Sequence, residues 1–243
     1  MVIFRAADGR TLTMEELRGV TGTFRYEIVG GTNVPAEAEL LHKQAQQAGG
    51  AGDLKKALAL LERASNLAPQ WPYPLYDMAY TYLLMDDDNK ARQYYRRTVE
   101  LAPRGFFTAI TALDTLEREQ KGEFPTGTYL EYLSLEWMDD RGKRAEAVRR
   151  LAKRVPHFAP AWKELAKISD GDAERLAAIE KGLAAEPDAE TKGMLQIDKA
   201  LVLSTQGDHE GAVRLLGELA LDSKSTYSTE QLAKVTLAMV AKK

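Results

Sequence analysis

The sequence has no cysteine and only three histidines among its 243 residues. The lack of cysteine excludes disulfides, thiolate metal sites and thiol nucleophiles. His42, His157 and His209 are far apart along the chain, and none stands in a metal-binding spacing such as H-E-x-x-H. We therefore predict no metal, no other cofactor and no catalytic residues, and we expect the protein not to be an enzyme.

Long apolar runs and blocks of like charge are also missing. No apolar run approaches the ~20 residues that span a bilayer, and the first ten residues, MVIFRAADGR, lack the basic and apolar regions of a secretory signal. The 33 basic and 36 acidic residues are interspersed, with a net charge of −3. These features favour a cytoplasmic protein that binds neither nucleic acid nor membrane.

Helix-forming residues dominate the chain, and its few prolines recur in similar settings. Pro69 in SNLAPQW and Pro103 in VELAPRG lie 34 residues apart. Between them, apolar, small and aromatic residues stand at spacings that place them on one face of each of two helices. These residues are Leu75, Met78, Ala79, Tyr82, Ala91 and Tyr95.

This pattern is similar to that of the tetratricopeptide repeat (TPR), a 34-residue helix–turn–helix unit reading W-x2-L-G-x2-Y, then A-x3-F, then P. The same frame fits AGDLKKALALLERASNLAP before it and DKALVLSTQGDHEGAVRLLGELA near the C-terminus. The chain thus resembles TPR proteins over roughly residues 36–223. The resemblance implies an all-α, right-handed solenoid of helix–turn–helix repeats.

The repeat frame is irregular in the middle of the chain. Pro103 and Pro156 are 53 residues apart, so one extra helix is expected near residues 104–155. Three helical segments fit there: Phe106–Lys121, Thr128–Met138 and Lys143–Arg154. We place the repeats at residues 35–227. A capping helix follows at 228–243, introduced by the capping-box spacing Ser228-x-x-Gln231.

The first 34 residues follow a different pattern. VIFRA and TFRYEIVG are β-prone runs, and TMEELRG between them has Thr13 placed as the N-cap of a short helix. We predict a small strand–helix–strand flap over residues 1–34. The flap could dock on the first repeat as a cap, or it could pair a partner strand along its edge.

The stretch WPYPLYDMAYTYLL carries four tyrosines on one predicted helix. The repeat frame assigns Tyr82 to the packing face. It places Tyr76 and Tyr80 on the opposite side, with Asp77 between them and Tyr73 leading into that side. In the TPR family the first helix of each repeat lines the concave groove. By resemblance, these three tyrosines either bind a partner or pack against the neighbouring helix.

Groove positions taken from the same frame form a mixed set that suits a peptide better than a phosphate polymer. Asp77 stands where TPR proteins that hold a chaperone's C-terminal carboxylate carry asparagine, so that function is not expected. The predicted groove residues are Tyr73, Tyr76, Asp77, Tyr80, His42, Lys43, Gln46, Tyr132, Lys163 and Lys167.

Two functions of different classes remain open from the sequence. The first is a non-enzymatic protein–protein interaction module that binds a peptide or protein segment in its groove. The second is a structural subunit that self-associates through its flap or its C-terminal helix. Either a monomer or a homodimer is compatible with the sequence.

Overall fold

Twelve α-helices occupy the C-terminal part of the chain that the structure describes. This computed structural model describes residues 2–5, 9–12, 25–28 and 34–240. The contacts divide the chain into a first unit, Gly30–Lys121, and a second unit, Met1–Val29 with Gly122–Lys243. Strands account for only ten of the described residues. The all-α, TPR-like repeat fold predicted from the sequence is therefore confirmed.

The first unit contains five helices joined by short turns, each packed on the next. Its fifth helix begins three residues later than predicted, because Phe107 has a backbone φ of 50° and cannot continue a right-handed helix. The helices are α1 (Ala36–Gly50), α2 (Leu54–Leu67), α3 (Pro72–Leu84), α4 (Asp88–Leu101) and α5 (Ala109–Gln120).

The second unit contains the other seven helices. α6 ends at Ser134 and continues as a 3₁₀ turn over Leu135–Trp137, so the irregular middle of the chain holds the three helical segments predicted there. The helices are α6 (Thr128–Ser134), α7 (Arg141–Arg154), α8 (Ala159–Ile168), α9 (Asp172–Ala184), α10 (Ala189–Thr205), α11 (His209–Leu221) and α12 (Tyr227–Val240).

Aspartate side chains cap several of these helices at the repeat period. Asp53 accepts from the Lys56 backbone N–H at 3.1 Å, and Asp87, 34 residues later, accepts from that of Lys90 at 3.0 Å. Asp140 and Asp208 cap α7 and α11 in the same way. Each cap satisfies a backbone donor that the first helical turn leaves free. The acidic run Asp86–Asn89 therefore contains a turn and the N-cap of α4.

Small residues let the helices of the first unit approach closely. Leu75, Met78 and Ala79 on α3 and Ala91 on α4 are all buried, as the repeat frame predicted. A buried cluster of α1, α2 and α3 residues forms the core: Leu41, Ala45, Ala48, Ala57, Leu60, Leu61, Ala64, Leu75 and Met78. This burial of apolar surface is the main favourable term holding the repeat together.

Two buried clusters lie among the described helices of the second unit. One lies among α8, α9 and α10 around Ile179 and Leu195, and the other among α10, α11 and α12 around Leu216 and Ala233. The last helix begins one residue before the predicted capping box. Its cap is Thr226, whose Oγ1 accepts from the Thr229 backbone N–H at 3.2 Å, so the predicted cap at Ser228 is wrong.

A three-stranded antiparallel sheet lies near the N-terminus, in the order β2-β1-β3. Its strands are β1 (Val2–Arg5), β2 (Thr11–Leu12) and β3 (Arg25–Ile28), with Phe4 opposite both Leu12 and Tyr26. The predicted helix after Thr13 lies outside the described residues. The sheet is grouped with the second unit by its contacts.

Candidate partner-binding site

Three of the predicted groove residues meet in the first unit, on α1 and α3. The Asp77 carboxylate Oδ2 lies 2.8 Å from His42 Nε2 and accepts from Gln46 Nε2 at 3.3 Å. His42 is buried, and its ring packs edge-on against Trp71 at 4.9 Å between ring centres. The pair therefore fastens α3 to α1 and fixes the direction of the Asp77 side chain.

A cleft of about 350 Å³ opens beside this pair, and Tyr80 forms part of its wall. Its α1 side is made of small residues, because Ala45, Gly49 and Gly50 stand there in place of bulky side chains. Among the described residues of its lining, Asp77 is the only charged one. The full lining is Ala45, Gln46, Gly49, Gly50, Leu54, Ala57, Leu61, Asp77, Tyr80, Thr81 and Leu84.

Tyr73 and Tyr76, by contrast, belong to an aromatic cluster. Tyr76 has its ring centre 5.2 Å from that of Phe107, and its hydroxyl lies 2.8 Å from Thr108 Oγ1. Tyr73 packs edge-on against Phe106 at 4.7 Å. Both tyrosines are half-buried. The cluster consists of Tyr73, Tyr76, Tyr95, Phe106 and Phe107.

Tyr82 was predicted to lie in the core, and this prediction is wrong. Its ring is half-buried and stacks on Tyr94, 5.4 Å away with planes 14° apart, while the Lys90 ammonium lies 4.8 Å from the ring centre. The neighbouring Leu83 is buried in its place. The frame located the packing face correctly at Leu75, Met78 and Ala79 but misjudged its edge by one residue.

The different surroundings of Tyr76 and Tyr82 give a prediction. Tyr76→Phe should lower the free energy of unfolding by ~1 kcal/mol, because it removes the hydroxyl bonded to Thr108. Tyr82→Phe should leave it unchanged, since the Tyr82 hydroxyl bonds to none of the described residues. Urea unfolding of the two variants measures both values, and equal losses would contradict the assigned hydrogen bond.

Tyr132, Lys163 and Lys167, predicted as groove residues, meet in the second unit around the buried Glu164. Lys167 Nζ and Arg144 each lie 3.1 Å from a Glu164 carboxylate oxygen, and Lys163 lies at 3.4 Å. Lys163 also donates to the Tyr132 hydroxyl at 2.7 Å, so the cations are engaged within the protein. We call these five residues the Glu164 network.

Two buried carboxyl groups in and near this network have pKa values shifted in opposite directions. Burial pushes the pKa of Glu164 upward, but Lys163, Lys167 and Arg144 outweigh it and hold the pKa at about 2. Burial raises the pKa of Asp198 on α10, although Lys167 and Lys163 oppose the rise. One carboxyl is thus held ionised by three cations, while a nearby one is held closer to neutrality.

Some residues in and near the Glu164 network were not predicted from the sequence. Arg144 was not among the predicted groove residues, yet it reaches Glu164 from α7. Asp198 stands in an amphipathic helix with no motif around it. Lys43, in turn, is exposed on α1 and does not line the cleft. Within the described ranges, no group of three or more His, Cys, Asp or Glu residues could hold a metal ion.

None of the helices that the structure describes has the length and apolar character needed to cross a bilayer. No protein-family model matches the chain, and no curated protein matches it.

Solved structures with similar helical arrangements do exist. MamA 41-end from Desulfovibrio magneticus RS-1 is 17% identical, with 76% of this chain and 94% of that chain covered and a TM-score of 0.37. A thermophilic TPR protein of Thermus thermophilus is 17% identical (83% and 99% covered, TM-score 0.36). The TPR2AB domain of yeast Sti1 is 15% identical (85% and 86% covered, TM-score 0.39).

Likenesses at such low identity concern the fold and carry no information on the partners of this chain. The paired helices, their aspartate caps and their alanine-lined contacts are features of this protein itself. The resemblance to TPR proteins seen in the repeat pattern is thereby confirmed as a resemblance of fold.

Proposed function

We propose that the protein is a non-enzymatic protein-interaction module that binds a peptide or protein segment in the cleft between α1 and α3. The observation that carries this proposal is the lining of the cleft, with small residues on α1 facing Tyr80 and Leu84 on α3. Tyrosine offers a large rigid contact area with few rotors to freeze, as is typical of residues that anchor a partner.

The cleft has the chemistry of a recognition site and not that of a closed core. It is mostly apolar, with a few polar groups held in place, which is how binding sites combine affinity with orientation. Thr81 is fixed by its own bond to the Asp77 carbonyl at 2.6 Å, and Asp77 is fixed by His42. A partner would therefore meet a surface that needs little reorganisation on binding.

Gly50 allows the cleft to be closed without removing any contact. A Cβ added at Gly50 would meet no atom within 4 Å, and α1 ends at this residue. Gly50→Leu should therefore fill the cleft and leave the fold at least as stable, since glycine is a poor helix former. Gln47→Leu is the matched control, because it puts the same side chain on the same helix outside the cleft lining.

The test is a selection from a random 12-residue peptide display library on the wild-type protein. Fluorescence anisotropy then measures the affinity of the selected peptides. We expect Gly50→Leu to weaken binding by at least tenfold and Gln47→Leu to change it by less than twofold. If every selected peptide binds Gly50→Leu as well as wild type, the cleft is not the binding site and the proposal fails.

A further inference from the structure

The cleft holds the carboxylate of Asp77, and the arrangement of its two oxygens points to the chemistry of the partner. Both hydrogen bonds of the Asp77 side chain, from His42 and from Gln46, go to Oδ2. Oδ1 accepts no hydrogen bond from the described residues, and the side chain is 24% exposed. Since Asp77 lines the cleft, this oxygen remains available to a bound molecule.

Among the residues that the structure describes, no lysine or arginine lines the cleft, and Asp77 is its one acidic residue. The hydrogen bonds of His42 and Gln46 orient the carboxylate through Oδ2, so Oδ1 is the oxygen that the cleft offers next to its apolar wall. An anionic segment placed there would meet repulsion, whereas a cationic one would gain a charge-assisted hydrogen bond.

We infer that the cleft selects partner segments in which a lysine or arginine stands beside a large apolar side chain. The cation donates to Asp77 Oδ1, and the apolar side chain lies over Ala45, Gly49 and Gly50 against Tyr80. A volume of about 350 Å³ accommodates such a pair but no folded domain. This inference rests on the proposed function of the cleft and adds the charge of the partner to it.

Asp77→Asn separates the charge of this side chain from its structural role. Asparagine keeps one side-chain oxygen, which can still accept from His42 and so hold α3 to α1. Circular dichroism melting should show a midpoint close to that of wild type. Only the negative charge, and with it the selection for a cation, is expected to disappear.

The probe is a peptide selected from the random library on the wild-type protein, together with its variants. We expect the selected sequences to be enriched in lysine or arginine next to a large apolar residue. Replacing the arginine by citrulline, its neutral isostere, should weaken binding to wild type at least tenfold. The same replacement should change binding to Asp77→Asn less than twofold, because the charge it pairs with is already gone.

The outcomes distinguish this inference from the proposal on which it rests. The inference is overturned, and the cleft remains a binding site, if peptides that lose binding on Gly50→Leu carry no cation. The same holds if these peptides bind Asp77→Asn as tightly as wild type. Peptides unaffected by Gly50→Leu would overturn the proposed function itself. Acidic peptides enriched by the cleft would contradict the assigned charge preference directly.

Discussion

Glu164→Gln should lower the free energy of unfolding by ~3–5 kcal/mol at neutral pH, one of the two largest losses expected in this protein. The substitution removes the carboxylate that pairs with Arg144, Lys163 and Lys167. Breaking a buried ion pair by removing one partner costs this much when the remaining charge stays desolvated, and the Lys163 side chain is only 12% exposed. Urea unfolding at pH 7 measures the loss.

The pH dependence of the same variant follows from the pKa of Glu164. In the folded protein the pKa lies at about 2, below the ordinary 4.5, so ionised Glu164 favours the folded state. Its contribution is complete above the unfolded value and is lost as the pH falls from about 4.5 toward 2, by ~3 kcal/mol in total. Glu164→Gln should therefore flatten the acid limb of the stability curve.

Asp198 acts in the opposite sense, because burial raises its pKa. A raised carboxyl pKa favours folding at low pH, and this contribution is lost as the pH rises through the folded value. Asp198→Asn should thus raise stability at neutral pH. Measuring the effect of Glu164→Gln in the wild-type and Asp198→Asn backgrounds separates the contributions of the two carboxyls to stability.

An exposed ion pair of the same unit provides the control. Glu131 pairs with Arg154, but both side chains keep more than a third of their surface accessible. Glu131→Gln should cost less than ~1 kcal/mol, as exposed pairs do. A loss equal to that of Glu164→Gln would mean that the Glu164 network gains nothing from its burial.

The repeat architecture was predictable because it depends on spacing alone. Alanines at positions 79 and 91 mark close helix contacts, and both are fully buried. The aspartates at 53 and 87 cap two helices that start one period apart. Such local patterns are enough to predict TPR-like repeats, because each repeat packs on its neighbours.

The roles of the tyrosines were harder to predict, because helical phase gives the direction of a side chain but not what lies opposite it. The repeat frame placed Tyr76 on the side opposite the packing face and left open whether it binds or packs. The loop before α5, however, turns at Phe107 with a positive φ and brings Phe106 and Phe107 against Tyr73 and Tyr76. No local pattern announces such a turn at phenylalanine, where a positive φ is rare.

The two predicted groups of groove residues illustrate the same limit. His42, Gln46 and Asp77 were expected in one groove and do converge, because they lie on the first helices of successive repeats. Lys163 and Lys167 were also expected in the groove, and in the structure both pair with Glu164. Charge on a helix face predicts polarity there, but Arg144 and Tyr132, which complete the Glu164 network, come from other helices that the sequence does not align with this one.

The second large loss is expected at Gly193, where α10 and α12 approach closely. A Cβ built on Gly193 would lie 2.1 Å from Thr229 Oγ1 and 2.8 Å from Thr229 Cβ, distances that force the two helices apart. The threonine cannot turn away freely, because its hydroxyl accepts from Thr226 at 2.8 Å within the cap of α12. Valine at this position would overpack a fully buried contact.

Gly193→Val should accordingly lower the free energy of unfolding by at least ~3 kcal/mol, measured by urea unfolding, although helix propensity alone favours valine over glycine. Gly217→Ala is the matched control, since it lies in a helix where an added Cβ meets no atom within 4 Å, and it should stabilise by up to ~1 kcal/mol. In the Thr229→Gly background, the loss on Gly193→Val should shrink, because the clashing side chain is gone. Equal stability changes at Gly193 and Gly217 would show that α10 and α12 do not meet at this contact.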